Sequence, residues 1–308
     1  MMKKILILLM TGILLGGCSM QTVKTTETAV ESKLKVEVFK AEVANVNSFL
    51  VHNNEEGVLI DLLRNSEEAK ELVEFVKSHD VKLSRIILTH GHPDHYIGLD
   101  VVTEAFPEAS VYVYDKEIKE NIIGFSTWMN TVGWLDAEPA LKVKSAEIPD
   151  GFDYKEVINV DSKGTFTFAK GNVIEFKTDY LATEAEKLTT MYLPKEDILI
   201  GSDLAYSGVH PWMGAGVALE HVENWKQQLK AFEEQYKTST VYPGHGAKGD
   251  ASIFSDLYDY IVVFQEEVKK AESSDAVIKK MIEHYPDYLQ DDFLLVYSTQ
   301  NIFDLTHQ

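Results

Sequence analysis

The stretch Arg85-Ile86-Ile87-Leu88-Thr89-His90-Gly91-His92-Pro93-Asp94-His95 is the most informative part of this 308-residue chain. It opens with a short, mostly apolar run, which is typical of a buried β-strand. Three histidines and one aspartate then follow within six residues. Ligand-type side chains directly after a buried strand predict a functional site at the edge of a sheet.

The spacing of these side chains makes them converge. His90 and His92 lie two residues apart where the strand ends, so both can project to the same side. Proline suits the first position of a helix, and we predict a helix over residues 93–106. Asp94 and His95 then fall in its first turn, close to the strand end. Neutral imidazole and carboxylate oxygen are ligands that suit zinc, manganese and iron.

Two later segments repeat this arrangement. Asp203 follows the apolar run at residues 198–200, and His245 stands between two glycines after residues 239–242. Each alone would be uninformative, because turns often contain aspartate or histidine. Together with the first cluster they predict one metal site.

The remaining pattern predicts two mixed sheets packed together with helices outside. Strands are predicted near residues 36–39, 48–51, 57–61, 110–114, 165–168, 173–176 and 189–193. Helices are predicted at residues 66–79, 116–123 and 219–236, one or two helices at 253–283, and a closing segment at 289–303. Residues 124–150 are predicted to form an irregular loop that serves as a lid.

These motifs resemble those of the metallo-β-lactamase-fold hydrolases. The resemblance rests on the His-x-His-x-Asp-His pattern at residues 90–95, on Asp203 and on His245, and Asn47 and Asp61 also fit the family's opening hairpin. It covers about residues 36–246. It implies an α+β fold, a four-layer αββα sandwich with two divalent metal ions at one edge.

The resemblance also implies which side chains bind the ions. The first ion would be bound by His90 and His92, and the second by Asp94, His95 and His245. Asp203 would bridge the two. Zinc is the favoured metal, with manganese or iron as alternatives.

One departure from the family concerns the first ion, which usually receives a third histidine from a Gly-His turn. No histidine occurs between His95 and His210. Counting back from residues 191–194 places Glu184 nearest the missing position and Glu186 second. A carboxylate can join two histidines around zinc, and it makes a site more suitable for manganese or iron. We predict Glu184 as the ligand. The alternative is that both glutamates are exposed and the first ion is weakly held or absent.

The predicted activity is hydrolysis by a metal-activated hydroxide that attacks a carbonyl or phosphoryl centre. Asp94 would orient the nucleophile or move its proton. His210 is a second candidate catalytic residue, as a substrate contact, a proton donor or a spare ligand. The alternative for His210 is a packed loop histidine.

Aromatic residues suggest what the substrate looks like. They are predicted to line an apolar mouth, or else to pack the loop onto the core: Phe125, Trp128, Trp134, Tyr206 and Trp212. An apolar mouth favours a small-molecule ester, thioester, lactone or lactam over a polyanion.

Two other functions remain open at this point. An iron-dependent redox enzyme on the same fold is compatible with the Glu184 departure. A non-catalytic, lipid-anchored binding protein would explain a decayed first metal site. Metal content and turnover distinguish the three.

The N-terminal sequence predicts that the protein is exported from the cytoplasm. Two lysines precede an apolar run of about eleven residues, too short to span a bilayer, and Leu15-Gly16-Gly17 precede Cys18. This resembles a bacterial lipoprotein signal, with the alternative of an ordinary signal peptide. We predict a signal peptide at 1–17, a flexible tether at 18–33, the metallo-β-lactamase-like domain at 34–250 and a C-terminal helical segment at 251–308. The protein would be anchored to the bacterial cell membrane through a lipid on Cys18, facing outside the cytoplasm.

The amino-acid composition excludes several classes of ligand and of protein. The net charge of −20 argues against nucleic acid as a ligand. The single cysteine excludes an intrachain disulfide. A hydrophobic content of 45% excludes a disordered chain.

Overall fold

The computed structural model describes residues 33–288 and 293–308. The predicted signal peptide and the predicted tether up to residue 32 lie outside the described residues. Within the described ranges, no helix is long and apolar enough to cross a membrane.

The first sheet has six strands in sequential order. They are β1 (Lys35–Lys40), β2 (Asn47–His52), β3 (Glu56–Ile60), β4 (Lys82–Ile87), β5 (Ser110–Val113) and β6 (Ile158–Val160). The first three strands pair antiparallel, and β3 to β6 pair parallel. Strand β6 is too short to give a sequence pattern, and it was not predicted.

The second sheet has five strands in the order β11-β10-β9-β8-β7. They are β7 (Thr165–Thr167), β8 (Val173–Lys177), β9 (Thr190–Leu193), β10 (Ile198–Ser207) and β11 (Thr240–Gly246). Only the β10–β11 pair is parallel. Both sheets are therefore mixed, as the sequence predicts.

Side chains alternate between two cores along the central strands, because successive residues of a strand face opposite sides. In β2, Phe49 and Val51 lie in a cluster shared by the two sheets, whereas Leu50 joins a cluster formed with helices. In β10, Ile200 faces the other sheet and Leu199 faces helices. Each sheet is thus covered on both faces.

The helices supply the two outer layers. They are α1 (Ser66–Ser78), α2 (Leu99–Ala105), α3 (Lys116–Thr131), α4 (Tyr154–Val157), α5 (Leu219–Gln235), α6 (Ser252–Lys270), α7 (Ser274–His284) and α8 (Phe293–His307). Buried residues of α1 to α4 pack on the first sheet, and those of α5 to α8 pack with the second. The fold is a four-layer αββα sandwich, as predicted.

The predicted lid at residues 124–150 is wrong in its first part. Helix α3 continues to Thr131 because apolar side chains at helical spacing, including Ile118, Ile122 and Met129, are buried on the core. Gly124 lies on the exposed side, where glycine costs a helix only about 1 kcal/mol. Two short 3-10 helices, Trp134–Asp136 and Pro139–Leu141, follow.

The helix predicted over residues 93–106 is interrupted. A 3-10 turn covers Pro93–His95, and α2 begins only at Leu99. Gly98 lies between them, where a Cβ atom would overlap the backbone oxygen of Leu62. The close approach of the two segments explains the break.

The C-terminal segment forms a helical layer. Helix α6 packs on β10 and on α5, and buried residues of α7 and α8 extend the same apolar cluster. The predicted span 253–283 is two helices, since Ser273 caps α7 through the backbone N–H of Ala276. The closing helix runs over Phe293–His307 rather than 289–303, and residues 289–292 lie outside the described residues.

Candidate metal centre

The ends of strands from both sheets meet at one edge of the sandwich. Strands β3 and β4 are parallel, so Asp61 and the segment after Ile87 lie side by side. Strands β10 and β11 are parallel and carry Asp203 and His245. An isolated bridge between Val46 and His245 joins the two sheets here.

Four ligand-type side chains form a first group, namely His90, His92, Glu184 and Asp203. His92 Nδ1 lies 2.8 Å from Glu184 Oε2, and His90 Nε2 lies 3.4 Å from Glu184 Oε1. Asp203 Oδ2 lies 3.8 Å from His90 Nε2. The structure therefore brings the Glu184 carboxylate together with His90 and His92, and its role as a metal ligand stays a prediction.

Asp94, His95 and His245 form a second group. His245 Nε2 lies 3.4 Å from Asp94 Oδ2, and His95 Nε2 lies 3.7 Å from the same oxygen. Asp203 Oδ2 lies 3.0 Å from His245 Nε2 and 3.3 Å from His95 Nε2. Asp203 is thus close to both groups, where a bridging ligand would lie.

Three of the histidines are oriented through their other ring nitrogen. Nδ1 of His95 lies 2.8 Å from Asp61 Oδ2, Nδ1 of His90 lies 3.0 Å from the Thr89 hydroxyl, and Nδ1 of His245 lies 2.7 Å from the Ala44 carbonyl. Each Nδ1–H donates to these oxygens, which directs Nε2 towards the centre, where its lone pair is available to a metal ion when the ring is neutral. This is the usual support of metal-binding histidines.

The loop that carries Glu184 is held from two sides. The backbone N–H of Thr189 donates to the Thr89 carbonyl, directly beside His90. On the other side, Gln228 and Asn224 of α5 donate to the carbonyls of residues 181 and 182. Glu186 points away: its side chain is 67% exposed and lies 3.9 Å from His221.

The supporting roles of several residues were not predicted from the sequence. The Tyr206 hydroxyl donates to Asp203 Oδ2 at 2.7 Å, and the Thr89 backbone and hydroxyl both donate to Asp61. Asn47 Nδ2 donates to the carbonyls of Pro243 and Gly246, fixing the turn around His245. Asn47, which begins β2, and Asp61, which follows β3, were noted in the sequence because both fit the family's opening hairpin.

The donor atoms of the site fit divalent cations. Among the described residues, His90 Nε2, His95 Nε2, Asp203 Oδ1 and both carboxylate oxygens of Glu184 are buried without a hydrogen bond of good geometry. Buried carboxylates without such partners are strongly unfavourable unless a cation compensates them. Burial also lowers the pKa of the His90 imidazole well below its usual value, which leaves a neutral ring suited to binding a metal.

Burial and neighbouring charges perturb the carboxyl groups in opposite directions. Burial raises the pKa of Glu184 to about 7, although His92 opposes this. At Asp203, burial is outweighed by His95 and His245, and the pKa falls well below the usual range. A cation between these groups would favour the ionised form of Glu184 as well.

The centre opens beside His92 and Asp94, whose side chains are 21% and 14% exposed. The ring of Trp212 meets the His92 ring edge-on, with 6.2 Å between centroids. Of the other aromatics predicted at the mouth, Tyr206 is buried against Asp203 instead. Trp128 and Trp134 form an exposed pair on the outer surface, 4.9 Å apart.

His210 is buried in the loop after β10. Its Nδ1 lies 2.8 Å from the Tyr260 hydroxyl, and its ring contacts that of Tyr288. Within the described residues, its polar and ring contacts go to these two tyrosines and not to the metal groups. A catalytic role for His210 stays a prediction.

Comparison with known proteins agrees with this architecture. A sequence model of the Metallo-beta-lactamase superfamily matches residues 41–245. A probable metallo-hydrolase of Streptococcus pyogenes serotype M6 is 26% identical over 215 residues, covering 66% of this chain and 80% of its own length. A hydroxyacylglutathione hydrolase of Francisella philomiragia is 37% identical over 76 residues, which is 24% of this chain and 29% of that protein.

Among solved structures, a metallo-beta-lactamase from Pontibacter korlensis superposes with a TM-score of 0.52 at 18% identity. The match covers 75% of this chain and 95% of that one, and it concerns the fold alone. The family match begins after β1 and ends before the C-terminal helices, and it supports hydrolase activity at the level of the superfamily. The chain belongs to the metallo-beta-lactamase superfamily.

Proposed function

We propose that this protein is a metal-dependent hydrolase that holds two divalent ions, with zinc favoured. The observation that carries the proposal is the convergence of seven ligand-type side chains from both sheets into two adjoining groups. His90, His92 and Glu184 would hold one ion, and Asp94, His95 and His245 the other. Asp203 would be shared.

Bound divalent ions would supply Lewis-acid chemistry, lowering the pKa of a coordinated water and polarising the bond to be cleaved. Residues of the chain would orient the attacking water, accept its proton and hold the ligands in place. Asp94 lies at the opening with Oδ2 near two histidine nitrogens, so it can orient a water and accept its proton. Tyr206 keeps the Asp203 carboxylate in place by donating to Oδ2.

We propose an ester, thioester, lactone or lactam as the substrate class. Trp212 at the opening provides an apolar surface for an acyl or ring substituent, and the net charge of −20 disfavours polyanions. One relative is named a hydroxyacylglutathione hydrolase, which favours an acyl substrate here. We also propose that His210 acts as a proton donor in this reaction.

Glu184 favours one second candidate, an iron-dependent redox enzyme. A carboxylate in place of a third histidine makes the first group a harder set of ligands, which is more suitable for iron or manganese. Protein purified without chelator and analysed for metals decides between the two. Stoichiometric zinc supports the hydrolase, whereas stoichiometric iron with oxygen uptake supports the redox enzyme.

We propose that Cys18 carries a lipid that anchors the protein outside the cytoplasm. The support is the apolar run that ends Leu15-Gly16-Gly17 before the chain's single cysteine. Replacing Cys18→Ser should move the protein from the membrane fraction to the soluble fraction. Retention in the membrane fraction would contradict the proposal.

The hydrolase is tested with a panel of esters, thioesters, lactones and lactams. We expect one class to be hydrolysed, and Asp94→Ala to lower kcat about 10²- to 10⁴-fold, the range for a proton-transferring group. His245→Ala should also abolish turnover. His221→Ala, outside both groups, is the matched control and should retain parental activity. Full activity of both Asp94→Ala and His245→Ala would refute the mechanism.

A further inference from the structure

The loop at residues 208–218 connects β10 to α5 and carries Trp212. We name it the Trp212 loop. It links the opening of the metal centre to the C-terminal helices through several side-chain hydrogen bonds. Those helices, α6 to α8, lie beyond residue 245, where the family match ends.

Ser298 of α8 binds the loop on both sides of Trp212. Its hydroxyl donates to the Pro211 carbonyl at 3.2 Å and accepts from the Met213 backbone N–H at 2.7 Å. Ser298 is buried. The residues before and after the tryptophan are therefore fixed by one side chain.

Asn301, one helical turn further along α8, binds the rest of the loop. Its Nδ2 donates to the carbonyl of Met213 at 2.8 Å and to that of Val217 at 2.9 Å. Met213 and Val217 are buried in the same apolar cluster as Leu295 of α8. The loop is thus held by polar and apolar contacts together.

The third attachment is His210. Its Nδ1 lies 2.8 Å from the hydroxyl of Tyr260 on α6, and its ring packs against Tyr288. The Trp212 ring packs closely against Gly214, where a Cβ atom would overlap it. These attachments hold the loop that places the Trp212 ring against the His92 ring at the opening.

We infer that the C-terminal helices position Trp212 at the mouth of the metal centre and so determine which substituents the substrate can carry. Ser298 and Asn301 are positioning residues, and Trp212 is the specificity-determining residue. This inference rests on the proposed hydrolase function for its kinetic readout only. Its structural part is testable without turnover.

The first test measures the accessibility of Trp212. A Trp128→Phe/Trp134→Phe background removes the two exposed tryptophans and leaves Trp212 with the fully buried Trp225. In this background, Ser298→Ala and Asn301→Ala should increase acrylamide quenching of tryptophan fluorescence. Gln300→Ala, on the exposed side of α8, is the matched control and should not.

The second test measures selectivity on p-nitrophenyl acetate and p-nitrophenyl octanoate, or on the shortest and longest acyl forms of the class that the panel identifies. Ser298→Ala and Asn301→Ala should change the ratio of the two kcat/KM values about fivefold or more, the size expected for a lost hydrogen bond. The change should lie mainly in KM. Trp212→Ala should change the same ratio of kcat/KM values without altering α8. This variant replaces the α8 variants in the test if one of them fails to fold.

The two effects should also be coupled. If Asn301 acts through Trp212, then Asn301→Ala should add little to the change of ratio in a Trp212→Ala background. Unchanged quenching in the α8 variants, or an unchanged ratio despite increased quenching, would overturn the inference. If the parent hydrolyses nothing in the panel, the proposed function fails, and quenching alone decides whether α8 holds Trp212.

Discussion

Glu184 differs from the other ligand-type side chains because it stands on a long loop, whereas the others lie within a strand or soon after one. It reaches the site because the residues that follow β4 pair with this loop. The Thr189 backbone N–H donates to the Thr89 carbonyl, and His90 forms a β-bridge with Leu188. Its carboxylate is fully buried beside His90 and His92. The sequence indicated its position by counting from the next strand, but only the fold separates it from Glu186.

We predict that Glu184→Gln weakens binding of one ion and leaves the other in place. The amide keeps the shape of the side chain but removes the negative charge that offsets the cation. Metal analysis after dialysis should show about one equivalent fewer than the parent, as expected when a ligand of one ion is lost. Glu186→Gln, an exposed neighbour, is the control. Equal metal content in both variants would exclude Glu184 as a ligand.

A second prediction concerns Asp61, which orients His95 through Oδ2. Asp61 has a positive φ of 61°, which asparagine tolerates, so Asp61→Asn keeps the backbone. Loss of the charged acceptor should weaken metal affinity about 10- to 100-fold, the range found for groups that support a ligand. Competition with a chromophoric chelator measures it. Asp80→Asn, at an exposed residue with φ of 50°, should match the parent.

At the scale of elements, an irregularity in β10 places Asp203. The pairing of β10 with β11 shifts register on both sides of Ser202, whose φ is 48°. Irregularities of this kind often reorient a side chain next to a site. The sequence predicted the strand only to residue 200, because the polar residues that follow interrupt the apolar run. Register shifts depend on the partner strand and cannot be derived from the strand's own sequence.

The same pair of strands leaves no space beside Asp203. A Cβ atom on Gly244 would overlap Asp203 Oδ1 and the Ser202 backbone. We therefore expect Gly244→Ala to displace Asp203 and to lower metal affinity about 10- to 100-fold. Overpacking should also lower the free energy of unfolding by about 1–3 kcal/mol. Chelator competition and denaturant unfolding measure the two effects.

Gly124→Ala is the control for Gly244→Ala, because it adds a methyl group where there is space for one. It lies on the exposed side of α3, where nothing stands within 4 Å of a Cβ atom. It should raise the free energy of unfolding by about 0.5–1 kcal/mol, because alanine favours the helix. Metal affinity should stay at the parental value. Parental metal affinity in Gly244→Ala would contradict this account of Asp203.

At the scale of the whole molecule, the site joins the two sheets. His90, His92, Asp94 and His95 follow β4 of the first sheet, whereas Asp203 and His245 belong to β10 and β11 of the second. The sequence predicted this convergence, because motifs at strand ends meet at one edge in a sandwich. It could not predict the contact between α8 and the Trp212 loop. That contact depends on tertiary packing between segments about 85 residues apart, and neither has a recognisable motif.

We therefore predict that metal ions stabilise the folded chain as a whole. Ions that bind only the folded protein stabilise it by about 2.7 kcal/mol at one hundred times the Kd. For a chain of this size that corresponds to a rise in Tm of about 4–5 °C for each ion. Calorimetry of chelator-treated protein with and without added zinc measures it. His245→Ala, which removes a ligand from the second sheet, should show a smaller rise. An unchanged Tm on adding zinc to the parent would mean that the ions do not link the sheets.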